Sequence, residues 1–155
     1  MRARVRGIVR TMRTPVVLLT LLLTLALPLA ACGGGGSSKE ATPKDQVTAD
    51  WRKAADAVVA GDAEALCVRV ADDAKAVIKK ETGLECADAI KVVFARTQKA
   101  DRESLKGVKI TAVTVNPDGK TANVKYTVTS ALKALGFDGS SDMIKTGDGW
   151  LLQGG

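Results

Sequence analysis

The chain has 155 residues, a formal net charge of +6 and no histidine. The lack of histidine excludes a Ser-His-Asp catalytic triad. Aromatic residues make up only 3% of the chain and do not interleave with a basic stripe, as they do in many nucleic-acid-binding surfaces.

The basic charge is concentrated at the amino-terminal end. Residues 1–13 hold five arginines and no acidic residue, and residues 14–31 are uncharged. The apolar core of this region, residues 16–30, is shorter than the roughly 20 residues that span a bilayer. A basic head, a short apolar core and small residues before a cleavage site are typical of a secretory signal peptide. We therefore predict that residues 1–31 are a signal peptide.

The end of this segment indicates its type. Leu29, Ala30 and Ala31 directly precede Cys32. This stretch resembles the lipobox of bacterial lipoproteins, in which a leucine and two small residues precede an obligatory cysteine. The resemblance implies cleavage before Cys32, a diacylglyceryl group on its sulfur and often an acyl chain such as palmitate on its new amine. It also implies that this lipid anchor holds the protein on the extracytoplasmic face of the cell membrane.

Two alternatives to a lipoprotein signal were weighed. One is an ordinary signal peptide in which Cys32 occurs by chance. The other is a retained membrane helix, which is disfavoured because Pro28 and the glycines at 33–36 interrupt the apolar run. Without residues 1–31 the net charge falls to +1, so we expect no nucleic-acid partner.

The rest of the chain divides into a tether and a domain. Residues 32–41 are rich in Gly and Ser and predict a flexible tether with a root-mean-square reach of about 15–18 Å. Residues 42–155 have the length and apolar content of a single domain.

The first part of this domain has helical periodicity. The sequence Thr-Pro-Lys-Asp at 42–45 predicts a helix start, because Thr42 can cap the helix and Pro43 suits its first position. Gly61 predicts the end of this helix, and Asp62 can cap the next one.

Two further helices are expected. Apolar residues keep helical spacing up to Gly83, with an expected break near residues 71–73. A third helix is predicted from about Glu85 to Lys99, and its apolar spacing places Ile90, Val93 and Phe94 on its inner side.

The second half of the domain changes to a period of two residues. Residues 108–115 are rich in β-branched side chains and predict a strand. Asn-Pro-Asp-Gly at 116–119 predicts a turn, and residues 121–130 alternate as a partner strand. Short strands are predicted near 142–145 and at 150–153. Helices followed by antiparallel strands predict an α+β fold, with the helices packed on one face of the sheet.

This pattern resembles the nuclear transport factor 2-like superfamily. The stretches that carry the resemblance are Ala-Gly-Asp-Ala at 60–63 and Gly149-Trp150 in the last strand. The resemblance implies a cone in which N-terminal helices pack on a curved antiparallel sheet. The main alternative is a different α+β fold of helices and a strand meander.

Two cysteines remain once Cys32 carries lipid. An even pair in an exported domain predicts a disulfide between Cys67 and Cys86. The alternative is two buried free thiols. We predict no metal site, because two thiolates without histidine do not complete a tetrahedral zinc site.

The superfamily includes isomerases and cyclases as well as non-enzymatic binders. The enzymes need a carboxylate or histidine in an apolar pocket, where burial raises the pKa of a carboxylate. Tyr126 and Asp142 were considered and are more typical of a core tyrosine and a strand-start residue. We therefore predict no catalytic residue and no cofactor. The predicted pocket-lining residues are Tyr126, Phe94, Met143 and Trp150.

The sequence thus predicts a lipid-anchored envelope protein that is not an enzyme. We expect it to bind a small apolar or amphiphilic ligand, or an envelope protein. An isomerase- or cyclase-like enzyme and a purely structural accessory lipoprotein are the alternatives. An apolar cavity above about 300 Å³ inside the cone would favour a ligand, whereas a filled cone would favour protein association.

Overall fold

A computed structural model describes residues 41–134 and 137–154. The predicted signal peptide, the lipobox with Cys32 and the tether up to residue 40 lie outside the described residues. The helices are α1 (Pro43–Ala60), α2 (Ala63–Cys67), α3 (Asp72–Thr82), α4 (Cys86–Arg96), α5 (Lys99–Glu103) with a 3₁₀ turn at Ser104–Gly107, and α6 (Ser130–Ala134). The strands are β1 (Ile110–Val115), β2 (Thr121–Tyr126), β3 (Ser140–Thr146) and β4 (Gly149–Leu152). The predicted α+β class is confirmed.

The ends of α1 follow the predicted capping residues. The Thr42 hydroxyl accepts the N–H of Asp45, and the Asp45 carboxylate accepts the N–H of Thr42 at 3.0 Å. The two bonds satisfy amide groups that a helix start otherwise leaves open. Gly61 ends the helix with φ 71°, a conformation that glycine adopts without steric cost.

The predicted break between α2 and α3 is confirmed, and pairing with the sheet explains it. The amide of Ala71 donates to the carbonyl of Leu152 at 2.8 Å, and the amide of Leu152 donates to the carbonyl of Arg69 at 2.7 Å. Val70 therefore forms an isolated parallel bridge with Leu152 of β4, and Ala71 is extended. Asp62 caps α2 through the amide of Ala65.

The third predicted helix is wrong in its length. α4 ends at Arg96, and Thr97 is extended before α5 begins. Arg102 explains this end, because its guanidinium donates to the carbonyls of Phe94 at 3.2 Å and Thr97 at 2.8 Å. A side chain from the next helix thus satisfies carbonyl groups at the end of α4.

The sheet is an antiparallel meander in the order β1-β2-β3-β4. The register pairs Val113 with Val124, and Ala122 with Met143. An irregularity between Ile110 and Ala112 interrupts the pairing of β1 with β2, and such bulges bend a strand and increase its twist. The predicted turn at 116–119 is confirmed. The prediction that the second strand runs to residue 130 is wrong, since it ends at Tyr126.

The main core lies between α1 and the sheet, whose β1, β2 and β4 contact α1. Its largest fully buried side chains are those of Trp150, Leu105, Leu132, Met143, Val47 and Val124. A second, smaller cluster joins α2, α3 and α4 and comprises Cys67, Val70, Ala74 and Cys86. We call the α3–α4 pair the outer layer; this small cluster joins it to α2, and Phe94 of α4 packs against the main core.

Candidate functional site

Three of the four predicted pocket residues lie in the main core. Tyr126, Met143 and Trp150 have exposed fractions of 5%, 1% and 1%. Phe94 is half-buried and lines a surface groove. The other three line none of the grooves described below, so a ligand pocket at those residues stays a prediction.

The phenol of Tyr126 is held by the sheet. Its hydroxyl donates to the carbonyl of Ser140 at 3.0 Å and accepts the hydroxyl of Ser141 at 3.3 Å. Its ring lies 4.9 Å from that of Trp51, measured between centroids. Burial raises the pKa of Tyr126 above its ordinary value. A neutral, hydrogen-bonded phenol in this position stabilises the core.

An apolar groove lies between α3 and α4; we call it the α3–α4 groove. Its volume is about 350 Å³. Its walls are formed by Ile78, Thr82, Leu84, Ala89, Ile90, Val92, Val93 and Arg96. It is open to solvent along one side.

Two smaller grooves adjoin the α3–α4 groove. One, of about 130 Å³, shares Ile90 and Val93 with the α3–α4 groove and extends to Phe94 and Phe137. The other, of about 320 Å³, shares Ile78 and runs along α3 to the end of β4, with Glu81 in its wall. The three grooves therefore adjoin one another at these shared residues, and we call them together the apolar track.

The exposed large apolar side chains concentrate at this track. Val77, Leu84, Val92 and Val93 have exposed fractions of 48%, 38%, 40% and 52%. They lie on α3, on α4 and in the turn between them. The fifth such residue, Val68, lies outside the three grooves. A contiguous exposed apolar surface is typical of an interaction site.

Two lysines on the helices that form the α3–α4 groove are paired with acidic residues. Lys79 of α3 forms an ion pair with Glu85 across the turn, and Lys91 pairs with Glu64 and Asp88. The hydroxyl of the wall residue Thr82 is also occupied, since it donates to Ile78 and accepts from Leu84.

Arg96 differs from these two lysines. Within residues 41–134 and 137–154 its guanidinium has neither an ion-pair partner nor a side-chain hydrogen bond. It lies on the last turn of α4 and forms part of the groove wall. The groove thus combines apolar walls with a single uncompensated positive charge.

The predicted cysteine pair lies beneath this surface. The sulfur atoms of Cys67 and Cys86 are within disulfide-bonding distance, and their Cα atoms are 6.0 Å apart. Cys67 ends α2 and Cys86 begins α4, so the pair connects the outer layer to the rest of the domain.

Asp50 is the buried charged residue of the described part, and it was not predicted from the sequence. Its exposed fraction is 8%. One carboxylate oxygen accepts the amide of Trp150 at 3.0 Å, and the other accepts the ammonium of Lys53 at 2.8 Å. A signal was present, because position 50 falls on the apolar face of α1, between Val47 and Trp51.

The electrostatics of Asp50 fit a structural role. Burial raises its pKa, but the hydrogen bonds from Lys53 and Trp150 outweigh burial and hold the pKa below its ordinary value. Asp50 is therefore charged at neutral pH and joins α1 to β4. Asp142, the other carboxylate considered from the sequence, is exposed and accepts the amide of Asn123 at 2.8 Å.

The described residues contain no cluster of three or more metal-ligating side chains. None of their helices has the length and apolar content to span a bilayer. No protein-family model matches the chain, and no curated protein is significantly similar to it in sequence.

Proposed function

We propose that this protein is a lipid-anchored binding module on the extracytoplasmic face of the cell membrane. In this proposal it has no catalytic activity and presents the apolar track of α3 and α4 to an apolar or amphiphilic ligand or to a partner protein. The observation that carries the binding role is the grouping of four exposed large apolar side chains along two adjoining grooves of α3 and α4. Exposing them to water is unfavourable unless another apolar surface covers them in use.

The anchor and the fold family belong to the same proposal. The anchor is supported by the lipobox Leu29-Ala30-Ala31-Cys32 and by the charge and length of the segment before it. The nuclear transport factor 2-like cone is supported by the order of helices before an antiparallel meander and by the register irregularity between Ile110 and Ala112 in β1. The turn residues on which the resemblance depends, Gly61 and Asp62, occupy capping positions.

The non-catalytic role is supported by the hydrogen bonds of the buried carboxylate of Asp50 and the buried phenol of Tyr126. Asp50 binds Trp150 and Lys53, and the phenol of Tyr126 binds Ser140 and Ser141. Each group is thereby committed to internal hydrogen bonds. A general acid or base needs a free hydrogen-bonding direction toward its substrate.

Hydroxyl-radical footprinting tests the binding role. The full-length protein would be oxidised in living cells and, separately, after purification in detergent and transfer to lipid nanodiscs. We expect Val92 and Val93 to be oxidised less in cells, because an occupant covers them there, while Val68 is oxidised equally in both samples. Equal oxidation of Val92 and Val93 in the two samples would contradict the binding role.

A further inference from the structure

We propose that the α3–α4 groove binds a single-chain anionic amphiphile, such as a long-chain fatty carboxylate, with its head group at Arg96 and its chain along α4. This inference rests on the proposed function and names the chemical class of the ligand.

The charge distribution favours an anionic head group. Arg96 is the charged residue in the wall of the groove and has no acidic partner within the described residues. A guanidinium presents two parallel N–H groups that match a carboxylate or a phosphate. The neighbouring lysines at 79 and 91 already pair with Glu85, Glu64 and Asp88. The head group is thus directed to one end of the groove.

The walls favour an apolar chain. Apart from Thr82 and Arg96 the groove is lined by aliphatic side chains, and the hydroxyl of Thr82 is satisfied within the helix end. No carboxylate lines this groove, whereas Glu81 lines the adjoining one and would repel an anion there. A long chain therefore binds with its head at Arg96.

The dimensions favour one chain. The volume of about 350 Å³ lies near the lower end of the range of about 300–1,000 Å³ found for ligand pockets. Between Ala89 and Arg96 the axis of α4 rises about 10 Å, and the continuation past Ile90 and Val93 toward Phe94 adds further apolar length. A narrow track of this kind accommodates one acyl chain more readily than the two chains of a phospholipid.

Photolabelling of the lipid-anchored, full-length protein in phosphatidylcholine nanodiscs tests the inference. The probe is a long-chain fatty acid that carries a diazirine on its chain, and a second probe is the neutral alcohol of the same length. The label would be located by mass spectrometry of peptides. We expect the fatty acid to label α4, and the substitution Arg96→Gln to reduce this label about tenfold, as loss of a charged hydrogen bond predicts.

The controls separate charge, apolar contact and folding. Arg96→Lys should retain most of the label, and Arg96→Gln should leave labelling by the neutral alcohol unchanged. Val93→Asp should abolish labelling by both probes, and Val68→Asp should leave it unchanged, because Val68 lies outside the groove. All four substitutions are at exposed positions, and circular dichroism would verify the fold of each variant.

Several results would overturn the inference. Equal labelling of wild type and Arg96→Gln by the fatty acid would show that the charge of Arg96 does not bind the head group. Label from a diazirine phospholipid in place of the fatty acid would assign the groove to the bilayer surface. A cross-linked dimer formed through a photoreactive residue at position 93 would assign it to a second copy. Protection of Val93 in cells without fatty-acid labelling would leave the proposed function standing and refute this inference alone.

Discussion

Replacing Asp50 with alanine should destabilise the domain more than the loss of an ordinary, exposed charged side chain would. The substitution leaves the amide of Trp150 without an acceptor, in a position where Trp150 has an exposed fraction of 1%. A buried donor without a partner costs about 1–3 kcal/mol, and bonds to charged groups lie in the upper part of that range. The ammonium of Lys53 is half-exposed and contributes at most about 1 kcal/mol. We therefore expect Asp50→Ala to lower the free energy of unfolding by about 2–3 kcal/mol.

The assay is urea unfolding followed by tryptophan fluorescence, with Trp51 and Trp150 as reporters. Asp56→Ala is the matched control, since Asp56 is exposed on the same helix and its loss should change stability by less than about 0.5 kcal/mol. Asp50→Asn should lose less than Asp50→Ala, because the amide oxygen can still accept the Trp150 amide. Equal losses for Asp50→Ala and Asp56→Ala would refute the structural role of Asp50.

The pH dependence provides a second check on Asp50. Its pKa in the folded state lies below the ordinary value. The resulting stabilisation is fully present above the unfolded-state pKa of about 3.9 and is lost as the pH falls through the folded-state pKa. The difference in stability between wild type and Asp50→Asn should therefore be constant near neutral pH and shrink below about pH 4. A difference that grew on acidification would contradict this assignment.

Two further sets of substitutions test the hairpin and the cysteine pair. Gly149→Ala should destabilise the domain by about 1–3 kcal/mol, because Gly149 has φ 129° and an added Cβ would lie 2.8 Å from an Asp50 oxygen. Gly147→Ala is the control, since an added Cβ there meets no atom within 4 Å. Urea unfolding should show almost no change in stability for this control. The oxidised protein should be lighter than the reduced one by two hydrogen atoms. The double substitution Cys67→Ala and Cys86→Ala should lower the free energy of unfolding by about 3 kcal/mol, because the disulfide closes a loop in the unfolded chain. Hydrogen exchange should then accelerate mainly in α3 and α4, and labelling of both thiols in the native protein would refute the pairing.

Local signals in the sequence predicted much of the fold. Thr42, Gly61 and Asp62 act within a few residues of their own position, so capping chemistry located the helix ends correctly. The end of α4 could not be found in this way, because Arg102 from the next helix determines it. The end of β2 at Tyr126 likewise depends on the sheet partner and on the helix that follows.

The candidate site was predictable only in part. Sequence spacing assigned Ile90, Val93 and Phe94 to the inner side of the third helix. In the structure Val93 is about half-exposed, because no further layer of the described chain covers α4. Periodicity identifies the apolar face of a helix, but it does not show whether another element of the chain covers that face. The role proposed for Arg96 could not be predicted from the sequence, because it depends on the ion pairs that Lys79 and Lys91 form in the fold.

The intact mass of the native protein extracted from cell membranes tests the central claim most directly. We predict a chain that begins at Cys32 and carries the mass of a diacylglyceryl group, with or without an additional acyl chain. The Cys32→Ser variant should lack this mass and should no longer sediment with membranes. A native chain that carries no lipid, or one that retains residues 1–31, would contradict the account.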